Sequence, residues 1–322
     1  MKRIRKIALE EHFMAPGFQP YSQSILQHMS PATVARLGSQ LADFDRERLA
    51  EMDRASIDYV ILSQTGPGVQ AEPDASLAAL RATENNDFLA SRIELHRQRY
   101  GGFATLAMHD PEGAAAELER TVKQLGFKGA LVNGHTRGVY YDGPAYDPLW
   151  ERMQALDVPM YLHPADPFTQ PRSLDGHPEL AGAIWGWGVE TATHALRLLF
   201  GGVFDRFPRL KLILGHMGEG LPPLRWRFDS RFAVYPHGIT LERRPSEYIG
   251  SNILITTSGV CSHAALACAI AELGSHAVMF SVDYPYESTA VAADFIETAP
   301  LDEDSRRLVC HGNAERIFNL AA

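Results

Sequence analysis

Five side chains in this sequence could act together on one ion. In Ala8-Leu9-Glu10-Glu11-His12, Glu10 and His12 stand two residues apart. Residues i and i+2 of a strand share a face, so these two would point one way and Glu11 the other. At the C-terminal end of a strand, such a pair offers an oxygen and a nitrogen to a divalent cation. Three further polar groups each close an apolar run: His163 in Tyr161-Leu162-His163-Pro164, His216 in Ile213-Leu214-Gly215-His216, and Asp283 in Phe280-Ser281-Val282-Asp283-Tyr284-Pro285. Taken singly, each has an ordinary reading. A histidine at a strand end is usually a polar boundary residue, and an Asp before Tyr-Pro can simply start a turn. Glu10 resists that treatment, because an ionised carboxylate in a buried apolar strand needs a compensating partner. Five such groups at equivalent positions point to a metal centre.

The elements that must carry these groups are legible as alternating short apolar runs and longer amphipathic stretches. Eight runs read as strands: residues 6–12, 59–64, 100–106, 129–133, 159–164, 211–216, 253–258 and 278–285. Most are near-continuously hydrophobic, as strands buried on both faces of a parallel sheet are. Between them lies helical periodicity. Leu118, Val122 and Leu125 fall at i, i+4 and i+7, and Leu196, Leu199 and Val203 at i, i+3 and i+7. Asp110-Pro111 supplies an N-cap and a first-turn proline to one such helix. Strand and helix alternating eight times predict a closed (β/α)8 TIM barrel formed by residues 1–322 as a single domain. The rival is an open doubly wound sheet, but no GxGxxG follows the first strand. Long connections at residues 13–43, 134–147, 165–189 and 232–250 elaborate the strand-to-helix side, where a barrel builds its active-site mouth.

Composition narrows the partners. The formal charge of -9 and the scattered basic residues argue against nucleic acid. Three cysteines (Cys261, Cys268 and Cys310) without CxxC spacing predict free thiols in a reducing cytoplasm. The basic residues 1–7 lack the apolar stretch of a signal peptide, and no apolar run approaches the roughly 20 residues that span a bilayer. The expected partner is a small molecule, with neither nucleic acid nor membrane.

The chain resembles the amidohydrolase-related, metal-dependent decarboxylases, the family that includes γ-resorcylate, 2,3-dihydroxybenzoate and 5-carboxyvanillate decarboxylases, with aminocarboxymuconate-semialdehyde decarboxylase a more distant relative. The resemblance is carried by residues 8–13, by Leu62-Ser63 and Pro67-Gly68-Val69-Gln70, and by Gly126-Phe127-Lys128-Gly129-Ala130-Leu131-Val132-Asn133. It continues through Tyr161-Leu162-His163-Pro164, Gly215-His216-Met217-Gly218-Glu219, Thr256-Thr257-Ser258-Gly259 and residues 280–285, in order over nearly the whole chain. It implies an amidohydrolase-like barrel with one divalent metal, Zn2+ first with Mn2+ or Mg2+ as alternatives, no organic cofactor, and a homotetramer or homodimer. It assigns the metal to Glu10, His12, His163 and Asp283, a supporting or catalytic role to His216 and Glu219, and a supporting role near the substrate to Arg227. The first motif is Glu-x-His where hydrolytic relatives carry His-x-His. The fourth strand ends in Asn133, and Lys128 stands before that strand, the wrong end for a metal-bridging lysine. One metal is therefore implied. Phe232 stands where an Asn is expected in γ-resorcylate enzymes, which leaves the particular benzoate open.

The implied reaction is a non-oxidative, reversible decarboxylation of an ortho-hydroxy aromatic acid, held through carboxylate and phenolate oxygens on the metal. Asp283 is the expected proton donor to the ring carbon, charged by the substrate's phenolic proton. Glu219, three residues after His216, would orient that imidazole; alternatively it only favours a helix N-terminus. Asn133 and Phe232 are pocket candidates, with His177 weaker. Trp185, Trp187, Tyr140 and Phe13 are aromatic candidates that serve equally well as packing. Arg225 reads as surface or interface, and His28, His96, His194 and His311 as helix or surface residues. Two rivals stand beside the lyase: a metal-dependent hydrolase or lactonase, and a non-catalytic barrel kept as a binding module.

Overall fold

The computed structural model describes residues 4–26 and 29–320; His28 lies outside the described residues. Eight parallel strands form the centre: β1 (Lys6–Phe13), β2 (Ile57–Gln64), β3 (Tyr100–Gly102), β4 (Ala130–Asn133), β5 (Met160–His163), β6 (Leu212–Leu214), β7 (Ile253–Thr256) and β8 (Val278–Met279). Pairing runs β1-β2-β3 and β4-β5-β6-β7-β8. Two bridges join the arcs, Ala104 with Ala130 and Glu11 with Tyr284. At the first, Ala104 N donates to Gly129 O (2.8 Å) and Leu131 N to Ala104 O (3.1 Å). At the second, His12 N donates to Tyr284 O (2.7 Å) and Asp283 N to Glu10 O (3.1 Å). The sheet closes on itself as a (β/α)8 barrel.

Strand and helix each form for local reasons. All eight residues of β1 are buried, which suits a strand with side chains on one face and helices on the other. The helix Pro111–Leu125 buries Ala114, Ala115, Leu118 and Thr121 along one stripe and stops at Gly126, whose φ of 73° an L side chain resists. Asp110 occupies its N-cap position, but its side chain accepts no capping hydrogen bond. The run through Leu196 and Leu199 belongs to the helix Gly186–Phe200; Val203 opens a separate helix, because Gly201-Gly202 interrupts the turn. The three cysteines are free. Among the described residues, no helix is long and apolar enough to cross a membrane.

Several strands are shorter than their apolar runs, the third and eighth by the most. The third was expected over residues 100–106 and the eighth over 278–285, yet they end at Gly102 and Met279. Beyond Met279 the backbone finds partners outside the ladder. Phe280 N donates to Val309 O (2.9 Å), and Ser281 N to Thr257 Oγ1 (3.1 Å). Leu9 N donates to Ser281 Oγ (3.0 Å). Two hydroxyls and the carbonyl of Val309 thus replace a neighbouring strand, and the segment stays buried without being strand. Strand β1 is irregular as well: Ala8 pairs with Val60 and Glu11 with Leu62, so one extra residue is accommodated beside Glu10.

Gly129, which leads into β4, tests how tightly this frame is packed. Its φ is +138°, and a Cβ there would lie 2.3 Å from Pro159 O. Gly129→Ala should lower stability by about 2–4 kcal/mol through backbone strain and overpacking. The check is urea unfolding; an unchanged midpoint would mean that the β4–β5 spacing is not constrained as described.

Candidate metal centre

Strand β1 presents Glu10 and His12 to the barrel interior, both 0 % exposed. Glu11 goes to the opposite face, where its Oε1 accepts from Val282 N (3.0 Å). Burial pushes the Glu11 carboxyl up to about 8, against the pull of that N–H and of Arg48. Arg48 is itself buried, donates through Nη2 to His12 O (2.6 Å), and lies over the Tyr284 ring at 4.5 Å. His163 ends β5, beside Asn133 at the end of β4. His216 and Asp283 were expected to terminate strands six and eight, but they lie beyond them, in turns. Their φ values are +48° and +81°, and Met217 (+56°) and Glu219 (+52°) are left-handed too. Such backbone costs about 1–3 kcal/mol per residue and persists where surrounding contacts impose it.

These turns bring the donors together. One ligand atom each from Glu10, His12, His163 and Asp283 lies within 4.8 Å of the others. His12 Nε2 is 3.3 Å from Asp283 Oδ1, and His163 Nε2 is 3.3 Å from Glu10 Oε1. His216 Nε2 stands 3.6 Å from both Glu10 Oε1 and Asp283 Oδ2. Despite their burial, Glu10 Oε1, His12 Nε2 and Asp283 Oδ1 have no hydrogen-bond partner among the described residues. Unpaired buried polar atoms are expensive, and three facing one point mark a site built for something else to complete. Two carboxylate oxygens and two imidazole nitrogens are a suitable donor set for a single divalent ion.

The outer contacts fix how each donor is aimed. His163 Nδ1 donates to Pro164 O (3.0 Å), which leaves the Nε2 lone pair turned inward. Ser63 Oγ lies 3.1 Å from His12 Nδ1. The Tyr161 hydroxyl donates to Glu10 Oε2. Burial, helped by the nearby His12, holds the His163 pKa well below its ordinary value, which favours the neutral imidazole that a metal would require. Burial raises the Glu10 carboxyl, with His216 opposing. For Asp283, burial would also raise the pKa, but the imidazoles of His12 and His216 outweigh it and keep the carboxylate ionised. His216 goes the other way: burial disfavours its charge, yet Glu10 and Glu219 overcome that and raise its pKa well above the usual value.

Glu219 Oε1 lies 2.8 Å from His216 Nδ1. The alternative of a helix-dipole role has little to act on, because His216–Glu219 is one turn with left-handed residues inside it. Asn133 is buried and its Oδ1 is unpaired beside His163. Arg227 and Phe232 are not brought to this cluster. Arg227 is exposed on the helix Arg225–Phe232, and Phe232 packs on Phe200 with ring centroids 5.5 Å apart. Among the described residues, no hydrogen bond, ion pair or ring contact joins either to the four donors. Arg225 is tied to Ser246 O at 2.9 Å.

The remaining candidates are mostly packing. Phe13 is fully buried against Phe44 and Phe88. Tyr140 donates to Glu190, and Trp187 to Asp166 Oδ1 at 2.6 Å; Trp185 is exposed. His177, His96 and His311 pair with Glu179, Asp45 and Glu315. His194 is on a helix but buried, not at the surface. Its Nε2 accepts from Tyr141 N (3.3 Å), and burial holds its pKa at about 3. A cavity of about 700 Å³ is lined by Arg36, Glu51, Tyr284, Tyr286 and Glu287 among others, and by none of the four donors.

Sequence reading overlooked Tyr161, Ser63 and Tyr286. Tyr161 had a signal, since it stands two residues before His163 on the same strand face. Tyr286 follows Asp283 by three residues, and its ring stands edge-on to His12 at 5.7 Å. Gly215 was also unremarked, although a Cβ there would lie 2.5 Å from Glu10 Oε2.

An amidohydrolase family model matches residues 25–320. The chain is 43% identical to a γ-resorcylate decarboxylase of Polaromonas sp. (strain JS666), over 98% of each sequence. It superposes with a TM-score of 0.93 on a 2,6-dihydroxybenzoate decarboxylase solved with 2,6-dihydroxybenzoate; identity is 42%, covering 98% of this chain and 99% of that one. A dihydroxybenzoic acid decarboxylase from Polaromonas sp. JS666, solved with manganese and the inhibitor 2-nitroresorcinol, gives a TM-score of 0.92 at 44% identity, covering 98% and 97% of the two chains.

Because Gly215 has an ordinary φ, adding a methyl group there should disturb Glu10 and little else. Gly215→Ala is expected to weaken divalent-metal binding about ten- to hundred-fold, the usual effect of disturbing a ligand's support. Titration against a fluorescent chelator reads this directly, and undiminished affinity would remove Glu10 from the ligand set.

Proposed function

The chain belongs to the amidohydrolase family and is a decarboxylase within it, and we propose that it removes CO2 non-oxidatively from an ortho-hydroxy aromatic acid of the dihydroxybenzoate type. The observation that carries this reading is the convergence of unpaired Glu10 Oε1, His12 Nε2 and Asp283 Oδ1 at the mouth of the barrel. Glu10, His12, His163 and Asp283 would hold one divalent ion. When bound, that ion supplies a Lewis acid on which a carboxylate and an ortho-phenolate oxygen can be gripped together. Imidazoles suit Zn2+ and carboxylates suit Mn2+; the manganese in the Polaromonas relative moves the proposal from Zn2+ toward Mn2+.

The protein's own groups then handle the proton. Asp283 is ionised in the free protein and its Oδ2 faces His216. It takes the phenolic proton as substrate binds and passes it to the ring carbon that bears the carboxylate. The phenolate supplies the electron pair for the new C–H bond. When the C–C bond to the carboxylate breaks, its electron pair restores the aromatic ring and CO2 departs. Run backwards, the same residue removes the ring proton as CO2 adds, so the reaction is reversible. His216, held protonated by Glu10 and Glu219, offers an N–H toward the anionic oxygens of the substrate. Asn133 Oδ1, unpaired and beside His163, is a further contact for a substrate hydroxyl. Among the described residues, Arg227 and Phe232 make no hydrogen bond, ion pair or ring contact with the four donors, and no step is assigned to them. No feature of the site favours the hydrolase or the binding-module alternative over the lyase.

A panel of 2,6-dihydroxybenzoate, 2,3-dihydroxybenzoate, salicylate, 5-carboxyvanillate and 4-hydroxybenzoate tests the substrate class by CO2 release. Turnover should be confined to ortho-hydroxy acids, abolished by chelation and restored by Mn2+. Ester or lactone hydrolysis without CO2 release from any of them would overturn the reading.

Asp283→Asn tests the proton route. A loss of about 10²–10⁴ in kcat is expected from removing a general acid, together with loss of deuterium transfer to the ring in D2O. A variant that keeps its metal and a near-normal rate would assign the proton elsewhere.

A further inference from the structure

Behind Glu10 the barrel wall carries polar groups that the proposed chemistry does not use. Tyr161 and Thr256 are fully buried, on β5 and β7. The Tyr161 hydroxyl donates to Glu10 Oε2 and lies 2.9 Å from Thr256 Oγ1. Thr256 Oγ1 also accepts from Ser258 N at 3.4 Å. A hydroxyl has one proton to give. With Glu10 ionised, as a metal ligand must be, Tyr161 spends its proton on Oε2, so Thr256 must donate to the phenol oxygen. That leaves the Thr256 oxygen free to accept from the Ser258 amide. The chain therefore runs one way, from Ser258 through Thr256 and Tyr161 to Glu10.

The two oxygens of Glu10 consequently differ. Oε2 is held by the phenol and backed by Gly215, where any Cβ would lie 2.5 Å away. Oε1 has no partner and faces His163 Nε2 at 3.3 Å and His216 Nε2 at 3.6 Å.

We propose that Tyr161, braced by Thr256, is a positioning residue that reserves Glu10 Oε2 for itself and leaves Oε1 alone to the metal, so that Glu10 binds through one oxygen. The inference rests on the metal reading above. Its consequence is chemical: a carboxylate free to rotate can grip an ion through both oxygens and occupy a position that a two-oxygen substrate needs. Pinning one oxygen keeps that position open.

The test is Mn2+ binding to metal-depleted protein, followed by the electron paramagnetic resonance spectrum of the bound ion, both without substrate. Tyr161→Phe removes one oxygen atom and should weaken Mn2+ binding about ten-fold and alter the spectrum. Thr256→Val should weaken binding in the same direction by a smaller factor, and Thr256→Ser should restore the native affinity and spectrum. The threonine pair stands as a test by itself if the phenylalanine variant does not fold. A purely structural role would lower the melting temperature of the metal-free variants and leave both readouts untouched; that result overturns the proposal. Native protein that takes up no Mn2+ or Zn2+ overturns the metal reading and the inference with it, a failure distinguishable from the first.

Discussion

Glu10 sits inside a closed barrel with no exposed surface, and an ionised carboxylate there costs several kcal/mol in lost hydration unless other charges and hydrogen bonds replace the water. Much of the architecture near the mouth can be understood as that replacement. Tyr161 satisfies one oxygen, and the His216 imidazole stands 3.6 Å from the other. The charged form of His216 is in turn favoured by Glu10 and Glu219. The compensation is incomplete within the protein alone, because Glu10 Oε1 and Asp283 Oδ1 remain unpaired. A dication fits that deficit in sign and in location.

The same constraint explains why the donors come from both strands and turns. A strand offers alternate residues to the interior at a fixed pitch, which serves Glu10, His12 and His163. Asp283 and His216 need approach angles that the ladder does not provide. The chain obtains them in left-handed turns, and the buried hydroxyls of Ser281 and Thr257 hold the backbone that leads to Asp283. On the far face of β1, Arg48 grips the carbonyl of His12 and stacks on Tyr284, so the backbone carrying one donor and the residue next to another are fastened from behind.

How much of this could be read from the sequence depends on which rule governs each residue. The barrel was legible because strands buried on two faces are apolar throughout and helices are not. Glu10 and His12 followed from alternation, and Glu11 was rightly sent to the other face. The strand ends were less legible. Phe280 and Val282 are as apolar as strand residues, since they are equally buried, but side-chain hydroxyls and Val309 O serve their segment in place of a neighbouring strand. Apolarity reports burial; it does not report what the backbone bonds to. Tyr161 was hard to single out for a related reason, because a tyrosine in an apolar strand looks like core until the carboxylate it faces is known. His194 is the opposite case: it lies on a helix, as its sequence context suggests, yet aromatic neighbours at Tyr140 and Tyr141 enclose it.

The seam that closes the barrel between β8 and β1 is short, made by His12 N to Tyr284 O and Asp283 N to Glu10 O. Three of the four donors, Glu10, His12 and Asp283, belong to the two segments that meet there. An ion held by them would be a clasp across the join, bonded to both of its lips. Filling the site would then reinforce a join that the backbone has already closed, and the polypeptide's resistance to fraying along that line would rise with the metal supply of its surroundings.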